Sequence, residues 1–182
     1  MSGHNKWSKI KHKKAASDAE KSKIFSKHSN LITLEARKAG GDLNSPTLIS
    51  VIERAKKDSM PKENIDRAVA KGAGTDSAAL QEVIFEAFGP GGVAIIITAV
   101  TDNNNRTFQE IRHIFSKADL QLGSPGAALW AFTKDNHVYR PLSPISLNDA
   151  DGEKLYNLLE KIADQDDVQD IFTSADEEED SV

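Results

Sequence analysis

Eight lysines fall between Gly3 and Lys27, at Lys6, Lys9, Lys11, Lys13, Lys14, Lys21, Lys23 and Lys27, with Trp7, Ile10, Ile24 and Phe25 among them. Only Asp18 and Glu20 oppose them. Ammonium groups packed so densely repel one another unless something anionic lies against them, and a phosphate backbone is the commonest such partner. The interleaved apolar residues give the segment a means of docking onto a fold. The plainer reading is a solvated basic arm without a specific target. Trp7 carries two readings of equal weight: stacking on an exposed base, or anchoring the arm beside Ile10. Arg106 follows the polar loop Asn103-Asn104-Asn105 at a predicted helix start, where it could grip a phosphate; capping with a surface arginine is the slightly favoured alternative.

The charge is segregated along the chain. Residues 1–71 hold 16 Lys and Arg against 8 Asp and Glu, whereas residues 72–182 hold 7 basic and 20 acidic residues. The net charge of −5 therefore conceals a basic N-terminal module joined to an acidic body, an asymmetry that points to a nucleic-acid surface at one end.

Enzymatic chemistry finds little support. Gly89-Pro90-Gly91-Gly92 leads into the apolar run from Val93 rather than into a helix N-terminus, so it reads as a hairpin turn and not as a phosphate cradle. His4, His12 and His28 lack companions at metal spacing, no nucleophile elbow or P-loop is present, and no cofactor is expected. Glu82 and Glu86 share one strand face and read as solvated. With no cysteine, disulfides and thiolate chemistry are excluded. The polar, basic N-terminus has no secretory h-region. The longest apolar run, Val93 to Val100, is too short to span a bilayer. A soluble, cytoplasmic, monomeric protein without a membrane partner is the expectation.

These residues need elements to hold them. Apolar positions from Ile24 to Ala39 recur at helical spacing, and Gly40-Gly41 supplies the stop. Ser45-Pro46 reads as an N-cap with proline in the first turn, followed by a stripe of Leu48, Ile49, Val51, Ile52 and Ala55. After Met60-Pro61 a third helix runs from about Lys62 to Lys71. Three helices with one apolar face each make a small bundle, with Lys56, Lys57, Lys62, Arg67 and Lys71 outside. Gly72 to Ala79 reads as a linker. Strands are predicted at Gln81–Phe88, Val93–Val100, Ala127–Phe132 and Val168–Thr173, with helices after Asn103 and Asn148 and a proline-broken stretch over His137–Leu147. Trp130 reads as core. The fold class is α+β: a basic arm and three-helix bundle over residues 1–75, one ferredoxin-like sandwich with an antiparallel sheet over 76–175, and an acidic disordered tail over 176–182.

The stretches GHNKWSKIKHKKAASDAEKSKIFSK (Gly3 to Lys27), MPKENIDRAVAKGAG (Met60 to Gly74), FGPGGVAIIITAVTDN (Phe88 to Asn103), RTFQEIRHIFSKADLQLGSPGAALWAF (Arg106 to Phe132) and DDVQDIF (Asp166 to Phe172) resemble the YebC/PmpR family over nearly the whole chain. The resemblance implies an N-terminal three-helix domain followed by two ferredoxin-like domains, the second inserted into the first. It also implies a regulator, described either as a DNA-binding transcription factor or as a ribosome-associated factor that helps translation through difficult stretches such as proline runs. This chain departs from the pattern. Tyr139 to Pro144 leads almost directly into the last helix, so the inserted domain is expected to be missing. Asn104 stands where the family loop usually carries a basic residue, and Ala118-Asp119 replaces a glycine pair.

The combined reading is a non-enzymatic nucleic-acid-binding regulator of gene expression that uses the arm lysines, with Trp7 and Arg106, and secondarily Lys56, Lys57, Lys62, Arg67 and Lys71. Ribosomal RNA and the ribosome are the favoured partner, because the resemblance implies a ribosome-associated factor and the bundle's polar face is lysine-dominated, with no base-reading side chain standing out. Promoter DNA is the alternative, and a protein-interaction module using the acidic tail is a third class.

Overall fold

The computed structural model describes residues 18–74, 80–135 and 137–176. The chain opens with three helices, α1 (Asp18–Lys38), α2 (Pro46–Lys57) and α3 (Lys62–Ala73). Gly40 and Gly41 take φ of 59° and 89°, a left-handed exit from α1 that costs a glycine little. Ser45 precedes α2 as expected but makes no side-chain cap; its hydroxyl lies 3.1 Å from that of Thr47. Leu31, Ile32, Leu34, Leu48, Val51, Ala55, Met60, Ile65 and Ala68 form the bundle core.

The predicted linker starts too early. Gly72 and Ala73 close α3, and Gly72 is buried against α1, where a Cβ would fall 2.4 Å from the Thr33 carbonyl oxygen and 2.6 Å from the Ala36 Cβ. A residue that looks like a flexible joint is a point of helix–helix contact. Residues 75–79 lie outside the described residues.

Strands β1 (Gln81–Phe88) and β2 (Ala94–Thr101) form the expected hairpin about Gly89–Gly92, with Phe85 opposite Ile97. Helix α4 (Asn104–Lys117) follows, its N-cap Asn103 accepting from the Arg106 N–H. A short hairpin, β3 (Phe132–Asp135) and β4 (Val138–Pro141), leads to α5 (Asp149–Ala163), capped by Asn148, and then to β5 (Val168–Thr173). The main sheet has the order β1-β2-β5, antiparallel throughout. Leu122 makes an antiparallel bridge to Ala87 on the outer side of β1. The path from β2 through α4 to Leu122 is thus a split β-α-β unit, the motif of a ferredoxin-like half. As the sequence predicts, Val168–Thr173 pairs with β2, and Val83, Phe85 and Ala87 face the core with Ile111, Phe115, Leu155, Leu158, Leu159 and Ile162.

Asp119, in the predicted departure from the family's glycine pair, takes the left-handed conformation with φ 56°. Aspartate tolerates that region better than most side chains.

Two sequence expectations fail at one place. Ala127–Phe132 is no sheet strand: Leu129–Ala131 forms a 3-10 turn, and the strand begins only at Phe132, paired with β4 within the stretch predicted to be merely extended. The cause is Glu86, which is not solvated but buried (4% exposed). Its carboxylate accepts backbone N–H bonds from Gly126 (2.6 Å), Ala128 (2.7 Å) and Leu129 (2.8 Å). Those donors are withdrawn from any ladder and the chain is bent into a turn. The turn puts Ala128 and Phe132 inward and leaves Trp130, predicted to be core, 69% exposed.

Burial alone would raise the Glu86 carboxyl above its ordinary range, but the three N–H bonds overcome this and hold it below. A carboxyl lowered in the folded state contributes stability above its unfolded pKa, and loses it as pH falls through the folded value. Glu86→Ala should therefore cost on the order of 3 kcal/mol near neutral pH, because three buried donors are left without their acceptor. The deficit should shrink on acidification, as read by urea unfolding at a series of pH values. Gly72→Ala should cost about 1–3 kcal/mol by overpacking, whereas Gly74→Ala, with its nearest neighbours at 3.6 Å, should stay within about 0.5 kcal/mol.

Candidate nucleic-acid interface

The described cations fall into two sets. Lys21 on α1, Lys56 and Lys57 in the last turn of α2, and Lys62, Arg67 and Lys71 on α3 are exposed. Lysines at a helix C-terminus complement the partial negative charge of the free carbonyls, so Lys56 and Lys57 extend without opposing the fold. Arg67 and Lys71 lie one turn apart and share a face. Lys62 sits at the start of α3 with its Nζ 2.6 Å from Asp66, an exposed pair that contributes little to stability. Glu53, Asp58 and Glu63 are also exposed nearby, so this face is mixed in charge rather than uniformly basic. Lys6, Trp7, Lys9, Lys11, Lys13 and Lys14 lie outside the described residues, as do His4 and His12.

Of the predicted phosphate-binding set, Lys23, Lys27 and Arg106 each make contacts within the molecule, although 37% of the Lys23 side chain and 44% of the Arg106 side chain stay exposed. Lys23 donates to the Asp164 carbonyl and lies 3.2 Å from the Asp166 carboxylate. Lys27 donates to the Ala163 carbonyl at 2.7 Å, while its own carbonyl accepts from Gln169. Both ammonium groups thus meet carbonyls at or just beyond the C-terminus of α5, where the helix dipole favours positive charge. Burial, aided by Lys23, lowers the Lys27 ammonium to about 8. Arg106 bonds Asp102 at 3.0 Å and Asp167 at 2.9 Å, and Thr107 also donates to Asp167 at 2.7 Å. Although burial tends to raise it, Asp167 is held below the usual carboxylate range by these donors.

Charge complementarity thus fastens the bundle to the sheet. Arg54, absent from the predicted set, forms a bidentate pair with Asp170 of β5 at 2.5 and 2.6 Å, the fork geometry for which guanidinium is suited. Lys38 bridges Glu35 (2.8 Å) and Glu82 (2.9 Å), so Glu82 is a partner in docking and not a purely solvated group. Val100 of β2 enters the bundle core. Nothing in the spacing of Arg54 sets it apart from Lys56 and Lys57; only its position beside β5 does. Among the described residues, no group of three or more His, Cys, Asp or Glu side chains is placed to hold a metal ion, and no helix is long and apolar enough to cross a membrane.

Comparison with known proteins matches this arrangement of bundle and sheet. The family described as "TACO1/YebC protein N-terminal domain" matches residues 5–75, and "TACO1/YebC second and third domain" matches residues 80–138. The chain belongs to the TACO1/YebC family. Similar family members named "Probable transcriptional regulatory protein" occur in Desulforapulum autotrophicum, 42% identical over 95% of this chain and 71% of its own length, and in Thermotoga maritima, 50% identical over 74% of this chain and 54% of its own. The crystal structure of a conserved hypothetical protein from Aquifex aeolicus superimposes with a TM-score of 0.79 at 28% identity, over 92% of this chain and 95% of that one. The chain thus spans about half to 71% of the length of these two TACO1/YebC relatives, and the match to the second and third domains stops at residue 138.

The lowered Lys27 fixes the sign of an alkaline effect. Folded Lys27 releases its proton near pH 8, whereas the unfolded side chain keeps it to about 10.5. Between those values the unfolded state binds more protons, so this group's contribution to stability rises with pH by up to about 1.4 kcal/mol per unit. Unfolding free energies of the parent and of Lys27→Met, measured from pH 7 to about pH 10, should diverge in that direction above pH 8; parallel curves would show that the ammonium is not dehydrated at the α5 terminus.

Proposed function

We propose that this TACO1/YebC protein is a nucleic-acid-binding regulator of gene expression whose target is ribosomal RNA, so that it acts in translation. The observation that carries the reading is the lysine run of residues 3–27, entering a bundle whose α2 and α3 expose five further cations, on a chain whose remainder is acidic. A basic module on an acidic body binds phosphate at one end and repels it at the other. The relatives named as regulatory proteins support the regulator class. RNA is preferred over DNA because the exposed cations are mainly lysines, point charges suited to phosphates rather than to bidentate base reading. The relatives' names favour promoter DNA as the second reading. In neither does a side chain perform covalent chemistry; positioning on the target is the function.

The protein should sediment with ribosomes at low salt and be released as salt rises. Replacing Lys11, Lys13 and Lys14 with alanine should weaken binding about uniformly across sequences and reduce the salt slope by up to about one unit for each phosphate no longer neutralised, with folding stability unchanged to within about 0.5 kcal/mol. Footprinting of a defined promoter, with no ribosome association at low salt, would transfer the assignment to DNA.

A further inference from the structure

We propose that His137 is an acid-closed latch: a proton on its Nε2, shared with the Glu35 carboxylate, fastens the β3–β4 hairpin to helix α1. His137 lies in the short connection between Asp135 of β3 and Val138 of β4. Its Nε2 is buried and is, among the described residues, the one buried side-chain nitrogen or oxygen without a hydrogen-bond partner. It stands 3.9 Å from Oε2 of Glu35, too far for a hydrogen bond. Buried polar atoms left unpaired are rare in folded proteins, and each has a physical cause.

The acceptor is held in place. The Glu35 side chain is 3% exposed; its Oε1 accepts from Lys38 at 2.8 Å, and its Oε2 is the oxygen nearest the imidazole. A neutral ring that turns the Nε2 lone pair toward a carboxylate is repelled by it, whereas a ring protonated there is attracted. A charge-assisted N–H bond settles near 2.8 Å, so closure needs a shift of about 1 Å. Space for that shift exists. A cleft of about 330 Å³ lies between the end of α1, the start of α2 and the hairpin, with Glu35, Lys38, Lys134 and His137 on its walls. The His137 side chain is 23% exposed, so solvent offsets part of the cost of charging it.

The surrounding charges set the direction. Glu35 and Lys38 come from α1, Glu82 from β1, Lys134 from β3, Tyr139 from β4 and Asp170 from β5; the start of α2 contributes the hydroxyls of Ser45 and Thr47. Lys38 engages both Glu35 and Glu82, and Arg54 neutralises Asp170. Exposed Lys134 stands 5.3 Å from the centre of the Tyr139 ring. Although burial tends to raise it, Glu82 is held below the usual carboxylate range, by Lys38 above all, with His137 and Lys134 contributing. Imidazole changes its charge between about pH 5 and 8. The protonated ring gains Glu35 in the folded state and has no such partner in the unfolded chain, so the latch is closed in acid and its contribution is lost as pH rises. At its other end the hairpin is anchored by the apolar cluster of Ala94, Ile96, Phe132, Tyr139 and Phe172. The latch adds a tie from the hairpin to the basic bundle, and it does not require the nucleic-acid reading.

The test uses the full chain without nucleic acid and follows amide hydrogen exchange by NMR from about pH 8 to about pH 5.5. Protection factors of the paired β3–β4 amides are corrected for the intrinsic pH dependence of exchange and compared with those of β2. In the parent, hairpin protection should rise about tenfold relative to β2 as pH falls, the ratio expected when one bond to a charged group is gained. His137→Gln keeps a polar side chain that cannot take up a proton, and should show no such rise. Glu35→Gln, whose acceptor has lost its charge, should abolish it as well. A rise of equal size in either variant would overturn the proposal. In the parent itself, the ring resonances of His137 should titrate together with the rise in protection; ring titration with no change in the hairpin would overturn it without recourse to any substitution. Ribosome or promoter binding is read separately, so either reading can fail alone.

Discussion

Strand β2 is the constraint on which the rest of the molecule depends. All eight of its residues are buried, and it is the element that enters all three apolar clusters. Ile95, Ile97 and Ala99 face α4 and α5; Ala94 and Ile96 face the β3–β4 hairpin; Val100 reaches into the helical bundle. A strand buried on both faces reads as an unbroken apolar run rather than an alternation, and Val93 to Val100 is such a run save for Thr98. Because the period of a strand is two, a slip of one residue would exchange the two cores. One register therefore fixes the positions of bundle, helices and hairpin together.

Electrostatics settles what burial leaves free. The basic excess of the N-terminal module is partly consumed inside the molecule, by Arg54 on Asp170 and by Lys23 and Lys27 at the end of α5. Each places a cation against a carboxylate or a carbonyl at the helix end, and partial burial strengthens the Arg54 and Lys27 contacts. Lys56, Lys57, Lys62, Arg67 and Lys71 stay exposed on α2 and α3, and the proposed nucleic-acid surface draws on them.

Local signals were legible wherever chemistry and period agreed. The three helices, the hairpin about Gly89–Gly92, the Asn103 and Asn148 caps and the pairing of Val168–Thr173 with β2 all follow from glycine and proline stops, cap residues and apolar spacing. The basic arm, the acidic body and the family were legible for the same reason, since composition and contiguous motifs do not depend on how the chain folds back on itself.

Long-range contacts were not legible in this way. Glu86 looks like Glu82 in sequence, yet it is buried because the loop forty residues on brings three N–H groups to it, and that same contact turns Trp130 outward. Gly72 reads as a linker until α1 lies against it. The contacts of Lys23 and Lys27 with the α5 terminus, more than one hundred residues away, leave no signal in their local spacing. The sequence by itself determined the helices, the β1–β2 hairpin with its register-setting strand, and the segregation of charge along the chain. Only the tertiary structure decided which charged side chains are free and which are bound, because pairing depends on distance in space, and spacing along the chain reports that distance only within a single helix or hairpin.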